Sequence, residues 1–202
     1  MEPRSPPTFT SFTPNADAPG LAASDARVTG YQVERLQVVR GAVPPQVAAG
    51  HRLWRVEAAG RLPVPDAPFI GATTHVVYTD AATRGELAQI SAGESGPTAV
   101  LIPIRKTAQW WALAPEQRQA YVMAGAPQGH LAIGRRYAAR IYRRLYQSRY
   151  LPGSDWDFLT YFEFPPGEAG VFADLLAELR DLDENPEWAF VDRETEIWLS
   201  RL

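Results

Sequence analysis

Apolar and polar positions divide this chain into short strands and a few helices. Thr98–Lys106 (TAVLIPIRK) is a near-continuous apolar run ending in two cations, the pattern of a buried strand. His51–Ala58 alternates cleanly, and Tyr31–Arg40 and Phe69–Thr79 are β-branched and aromatic. Ile141–Arg149 and Trp156–Phe164 read as two more strands, with LPGSD as the hairpin turn between them. Helical spacing predicts Ala81–Ser91, Trp110–Ala124 with Pro115 near a first turn, and Gln128–Arg140. A further helix follows Pro165–Pro166, with Phe172, Leu175, Leu176 and Leu179 on one face. Trp188–Val191 and Glu196–Leu202 close the chain as strands.

From residue 98 onward the order is strand, helices, strand, strand, helix, strand. That is the split βαβ order of ferredoxin-like α+β folds, and residues 29–91 carry a sparser version of it. The expected organisation is an N-terminal arm and loop over 1–28, a first ferredoxin-like half over 29–97 and a second over 98–202. The two halves are expected to join into one barrel-like sheet.

Composition narrows the function. The 202 residues carry a net charge of −3, which argues against non-specific nucleic-acid binding. The absence of cysteine excludes disulfides, thiolate metal sites and cysteine nucleophiles. No apolar run reaches the roughly 18–20 residues of a membrane span, and MEPRSPPTFTSF lacks the apolar core of a secretory signal. The expectation is a cytoplasmic protein.

Charge is unevenly placed. Between Arg105 and Arg149 stand nine Lys/Arg and one acid, Glu116, so the remainder holds eleven bases and twenty-two acids. A basic, aromatic centre in an acidic chain points to an anion or an anionic cofactor. Within it lie the only lysine, Lys106, and the pair Trp110–Trp111. An ammonium beside an aromatic pair can cover a flat, anionic cofactor, although either feature alone is ordinary surface or packing. His130 follows Gly129 near a helix start, whereas His51 and His75 sit in strand patterns and read as packed or surface residues. The absence of HExxH and of a second histidine at helical spacing argues against zinc, but one histidine can be the single axial ligand of a haem. Arg143 lies thirteen residues after His130, about 20 Å along one helix, so the two meet only if the chain turns between them. Glu184 and Glu187 lie in a polar turn, where either a solvated loop or a partner for a metal-bound histidine is a fair reading.

In combination, IPIRKTAQWW, PEQR, the His-to-Arg spacing, RRLYQSR, DFLTYFE and a helix ending LRDLDE resemble the chlorite dismutase family of haem b proteins, over about Val100 to Arg193. The short length is similar to the compact, dimeric lineage. The resemblance implies a dimeric α+β barrel and haem b as cofactor. It implies His130 as axial iron ligand, Arg143 as catalytic residue above the open face, and Lys106, Trp110 and Trp111 as cofactor-binding residues. Glu184 is implied as the carboxylate behind His130, with Glu187 or Asp183 as alternatives. Chlorite and other small anions are the implied partners, and conversion of chlorite to chloride and dioxygen the implied reaction. Coproheme decarboxylation by a relative on the same fold, non-catalytic haem binding or sensing, and a cofactor-free barrel are the competing readings.

Overall fold

A computed structural model describes residues 6–15, 17, 26–42, 44, 46–73, 86, 89–93, 96–123 and 129–202. Eight strands form a closed barrel: β1 (Thr8–Pro14), β2 (Ala26–Arg40), β3 (Arg52–Ala59), β4 (Phe69–Thr73), β5 (Thr98–Lys106), β6 (Tyr142–Gln147), β7 (Phe158–Phe164) and β8 (Val191–Arg201). Around the closed sheet the order is β1-β3-β2-β8-β5-β7-β6-β4. Each half therefore has the ferredoxin-like order 4-1-3-2, and the halves join where β2 meets β8 and β4 meets β6. Among the described residues the sheet closes where Ala72 of β4 pairs with Gln147 of β6. At the β4–β6 seam, a Cβ on Gly71 would stand 2.5 Å from the Cβ of Tyr146, so only glycine allows this approach.

Strand β1 replaces part of the arm expected over residues 1–28. It pairs with β3 on one side and β4 on the other. Its own sequence is threonine-rich and flanked by prolines, so neighbours on both edges, not local pattern, hold it. The last two expected strands are one continuous β8, preceded by a 3-10 turn over Pro186–Phe190. The helix expected over Trp110–Ala124 is two, α1 (Ala108–Ala112) and α2 (Pro115–Met123), because Pro115 removes a donor and restarts the chain. α3 (His130–Tyr137) and α4 (Ala169–Arg180) follow. His75 and most of Ala81–Ser91 lie outside the described residues.

Side-chain alternation divides the second half into two cores. From β5, Ala99 and Leu101 enter the barrel with Phe12, Tyr31 and Tyr161. Val100 and Ile102 face outward against Phe172, Leu175 and Leu176 of α4. The barrel interior also holds charge. Arg55 Nη2 lies 2.9 Å from Glu57 Oε2, and Arg144 Nη1 lies 3.0 Å from Glu57 Oε1. Beside Glu57, burial pushes the Tyr146 phenol up to about 12, Arg55 opposing and Glu57 adding to the rise.

A raised phenol pKa stabilises the fold while the unfolded tyrosine is neutral. That contribution is whole below pH 10 and lost as pH rises from 10 towards 12. We predict that roughly 2–3 kcal/mol of stability disappears across this window. Denaturant midpoints of the parent and Tyr146→Phe should converge as the window is crossed, and parallel curves would refute the assignment.

Candidate functional site

The outer face of β5–β8 and the underside of α3 and α4 enclose a cleft of about 790 Å³, including its open mouth. Its walls are largely apolar, with Ile102, Ile104, Leu145, Phe158, Phe162 and Leu176 among them. Four polar residues on the walls form one chain: Lys106, Glu187, His130 and Arg143.

His130 is the first residue of α3. Gly129, at φ 101°, turns the chain into the helix in a conformation that disfavours any side chain. Its N–H donates to the Glu184 carbonyl at 2.7 Å, and its own carbonyl accepts from Ile133 at 3.0 Å. Glu184 thus anchors the helix start through its backbone. The carboxylate facing His130 is that of Glu187: Nδ1 lies 2.9 Å from Glu187 Oε2. Glu187, not Glu184, is therefore the partner, because the 3-10 turn over Pro186–Phe190 aims Glu187 inward and buries it.

Lys106 Nζ lies 2.7 Å from Glu187 Oε1 and also reaches the Glu187 carbonyl at 3.4 Å. Burial pushes the Glu187 carboxyl up, but the Lys106 ammonium and His130 outweigh it and hold the group well below the usual carboxylate range. An ionised Glu187 accepts only, so the proton of a neutral His130 sits on Nδ1 and the Nε2 lone pair points away from Glu187. Arg143 Nη2 lies 2.8 Å from that Nε2. β6 delivers Arg143 to the cleft after α3 ends at Tyr137, so the turn between them brings together two residues thirteen positions apart.

Arg143 stands apart from its neighbours. Arg105, Arg135, Arg136, Arg140, Arg144 and Arg149 all pair with acids. The basic centre of the sequence is thus mostly neutralised by acids from other segments. Among the described residues, no carboxylate reaches ion-pair distance of Arg143, and its Nε is buried without a hydrogen-bond partner. Burial lowers the Arg143 pKa and the charge of Glu187 partly offsets this.

Neither Trp110 nor Trp111 lines the cleft, whereas Trp188 does. Trp110 is buried against Tyr121 and Phe190, with Lys106 Nζ 4.9 Å from its ring centre. Trp111 stacks on the cleft wall residue Phe158 at 6.0 Å and donates to Asp157 at 3.1 Å. Asp157, not singled out in the sequence, also accepts from the Lys106 N–H at 2.7 Å and from Arg149 at 2.7 Å. The tryptophans thus support Lys106 and Phe158 from behind. In the sequence Asp157 stood only as the first residue of DFLTYFE, with no role of its own.

The donor set fits a tetrapyrrole better than a bare ion. Among the described residues, no group of three or more His, Cys, Asp or Glu converges as a metal site. One imidazole with a fixed tautomer, opening on an apolar cleft, suits a metal that brings its own four nitrogens. The buried, unpaired Arg143 Nε adds a donor for an anion.

The fold and site together define a class: an α+β barrel of two ferredoxin-like halves, with a carboxylate-backed histidine facing an arginine on the outer wall of the second half. The family model described as chlorite dismutase matches residues 44–200. The chain belongs to the chlorite dismutase family. It is 30% identical to a dimeric chlorite dismutase from Nitrobacter winogradskyi, with a TM-score of 0.73 over 95% of this chain and 99% of that one. A mutant chlorite dismutase from Candidatus Nitrospira defluvii shares the fold at 22% identity and a TM-score of 0.66, over 99% and 93% of the two chains. Over 94 residues, 46% of this chain, it is 34% identical to the chlorite dismutase of Ideonella dechloratans, a match spanning 30% of that relative's length. Membership supports a function of haem-oxidoreductase type.

Proposed function

We propose that the chain binds haem b in the cleft, with His130 as the axial ligand, and converts chlorite to chloride and dioxygen. The observation that carries this reading is the alignment of Glu187, His130 and Arg143 across one apolar cleft. Bound there, haem b would supply redox-active iron chemistry for an oxyanion. Glu187 fixes the His130 tautomer and makes Nε2 a stronger donor. Lys106 holds Glu187 in place and balances its charge. His130 would hold the group through Nε2, and Arg143, now 2.8 Å from that nitrogen, would turn its N–H donors to an anion in the cleft. Arg143 would hold chlorite and hypochlorite in the cleft through several N–H donors. The apolar walls exclude competing water and strengthen that hold.

Arg143→Ala separates this reading from non-catalytic haem binding. It is expected to keep haem and to lose roughly 100-fold in chlorite turnover, the scale of removing an oxyanion donor. More hypochlorite should escape, bleaching the cofactor sooner. Oxygen-electrode rates and trapping of hypochlorite measure both effects; unchanged turnover and durability would refute the role. Consumption of coproheme and peroxide with formation of haem b, in place of oxygen release, would move the assignment to decarboxylation. We also propose a cytoplasmic homodimer. Likeness to the dimeric Nitrobacter winogradskyi protein over nearly the whole chain supports the dimer.

A further inference from the structure

The barrel interior contains a second chemical cluster, separated from the cleft by the thickness of one sheet. Tyr161 points inward from β7, while its neighbours Thr160 and Phe162 line the cleft. The Tyr161 hydroxyl donates to Glu163 Oε1, and the Tyr31 hydroxyl lies 2.6 Å from that of Tyr161. Tyr31 also reaches Glu163 Oε1, at 3.2 Å. Glu163 is buried, with Arg201 Nη2 at 3.5 Å and Arg55 Nη1 at 3.8 Å. The ring of Tyr142, next in sequence to Arg143, lies 6.5 Å from the Tyr161 ring, and Tyr31 lies 6.3 Å beyond it.

This is more than packing needs. A buried phenol donating to a buried carboxylate has its proton acceptor already in place. Burial, Tyr31 and Glu163 push the Tyr161 phenol well above its ordinary pKa, Arg55 opposing, so the group is a neutral phenol at working pH. A phenol that loses an electron becomes a strong acid, and the adjacent carboxylate then takes its proton without solvent.

We propose that Tyr161 and Glu163 form a redox-active pair that draws oxidising equivalents out of the cleft. One electron leaves the Tyr161 ring for a one-electron oxidant, which in the working protein is an oxidised haem in the cleft. The Tyr161 O–H bond breaks, and its proton passes to Glu163 Oε1. A neutral tyrosyl radical and a neutral carboxylic acid remain, and the oxidant is reduced by one electron. Return of one electron from a donor reverses both transfers. Arg55 keeps Glu57 as a partner throughout. The pair sits where it can quench an oxidant that would otherwise damage the cleft walls. The direction of transfer rests on the haem reading above; the chemistry of the pair does not.

The test uses a ruthenium polypyridyl photo-oxidant and frozen-solution EPR on the full chain without haem. Tyr137→Phe and Tyr150→Phe form the background, since Tyr150 is 80% exposed and Tyr137 donates to the surface acid Glu178. A tyrosyl signal is expected there, reduced about tenfold by Tyr161→Phe and kept by Tyr146→Phe, an equally buried control. No tyrosyl signal, a signal unchanged by Tyr161→Phe, or equal loss in both variants would overturn the proposal. Haem-loaded protein mixed with peroxide and frozen gives the second arm. There a Tyr161-dependent radical is expected, and its absence would overturn the link to the cleft. Failure of the haem reading shows separately, as no Soret band, and leaves the first arm decisive for the pair.

Discussion

His130→Ala is expected to abolish haem capture. No other described histidine, and no other residue of the cleft, can replace its lone pair: His51 is an exposed residue that accepts from the Ala48 N–H. Loss of a hydrogen-bonding partner behind a ligand costs roughly 10–100-fold in metal affinity, so loss of the ligand itself should cost more than that. A haem titration followed at the Soret band gives the comparison. The alanine leaves a gap of imidazole size between Glu187 and the cleft, so free imidazole in the buffer should restore much of the spectrum. A titration curve identical to the parent's would remove His130 from the site.

The second large effect is on stability. Glu187→Ala removes the partner of two neighbours at once, the buried Lys106 ammonium and the partly exposed His130 Nδ1. Breaking a buried ion pair by removing one partner costs about 3–5 kcal/mol, because the remaining charge stays buried. For a domain of this size that is a fall in Tm on the order of 10 °C. Glu184→Ala should leave Tm and haem binding near the parent values, since Glu184 serves through its backbone carbonyl. Lys106→Met in the Glu187→Ala background should recover part of the loss. Differential scanning calorimetry of the four proteins decides the matter, and equal sensitivity at 184 and 187 would contradict the geometry.

That pair of residues shows what a sequence conveys and where it stops. Spacing placed both glutamates in one polar turn, but a 3-10 turn advances each residue by a third of a revolution. Which carboxylate faces inward is thus set by where Pro186 starts that turn, a detail no local pattern carries. His130 and Arg143 were legible as a pair because the change from helical to alternating pattern near Ile141 required the chain to turn. The tryptophans were legible as important but not as placed. Their position behind Lys106 and Phe158 depends on packing among α1, α2 and the Pro186 turn.

The fold divides similarly. The second half has strong alternation, a proline-marked helix and a clean hairpin, and its order followed from those signals. In the first half, β1 is threonine-rich between prolines, and its strand state comes from partners 39 to 65 positions away. β8 reads as two strands because Asp192, Arg193 and Glu194 interrupt its apolar run. The structure keeps it whole through β2 and β5, with a register shift facing Arg105–Lys106. The basic centre was read as a field for anions. The fold instead pairs most of it with acids distant in sequence, and concentrates its chemistry in Arg143.

Dissolved oxygen after chlorite addition is the measurement that bears most directly on the account. Protein reconstituted with one haem b per chain should release one dioxygen per chlorite, rapidly and without added reductant. A protein that shows a clean haem spectrum and a His130-dependent Soret band, yet releases no oxygen from chlorite, would contradict it.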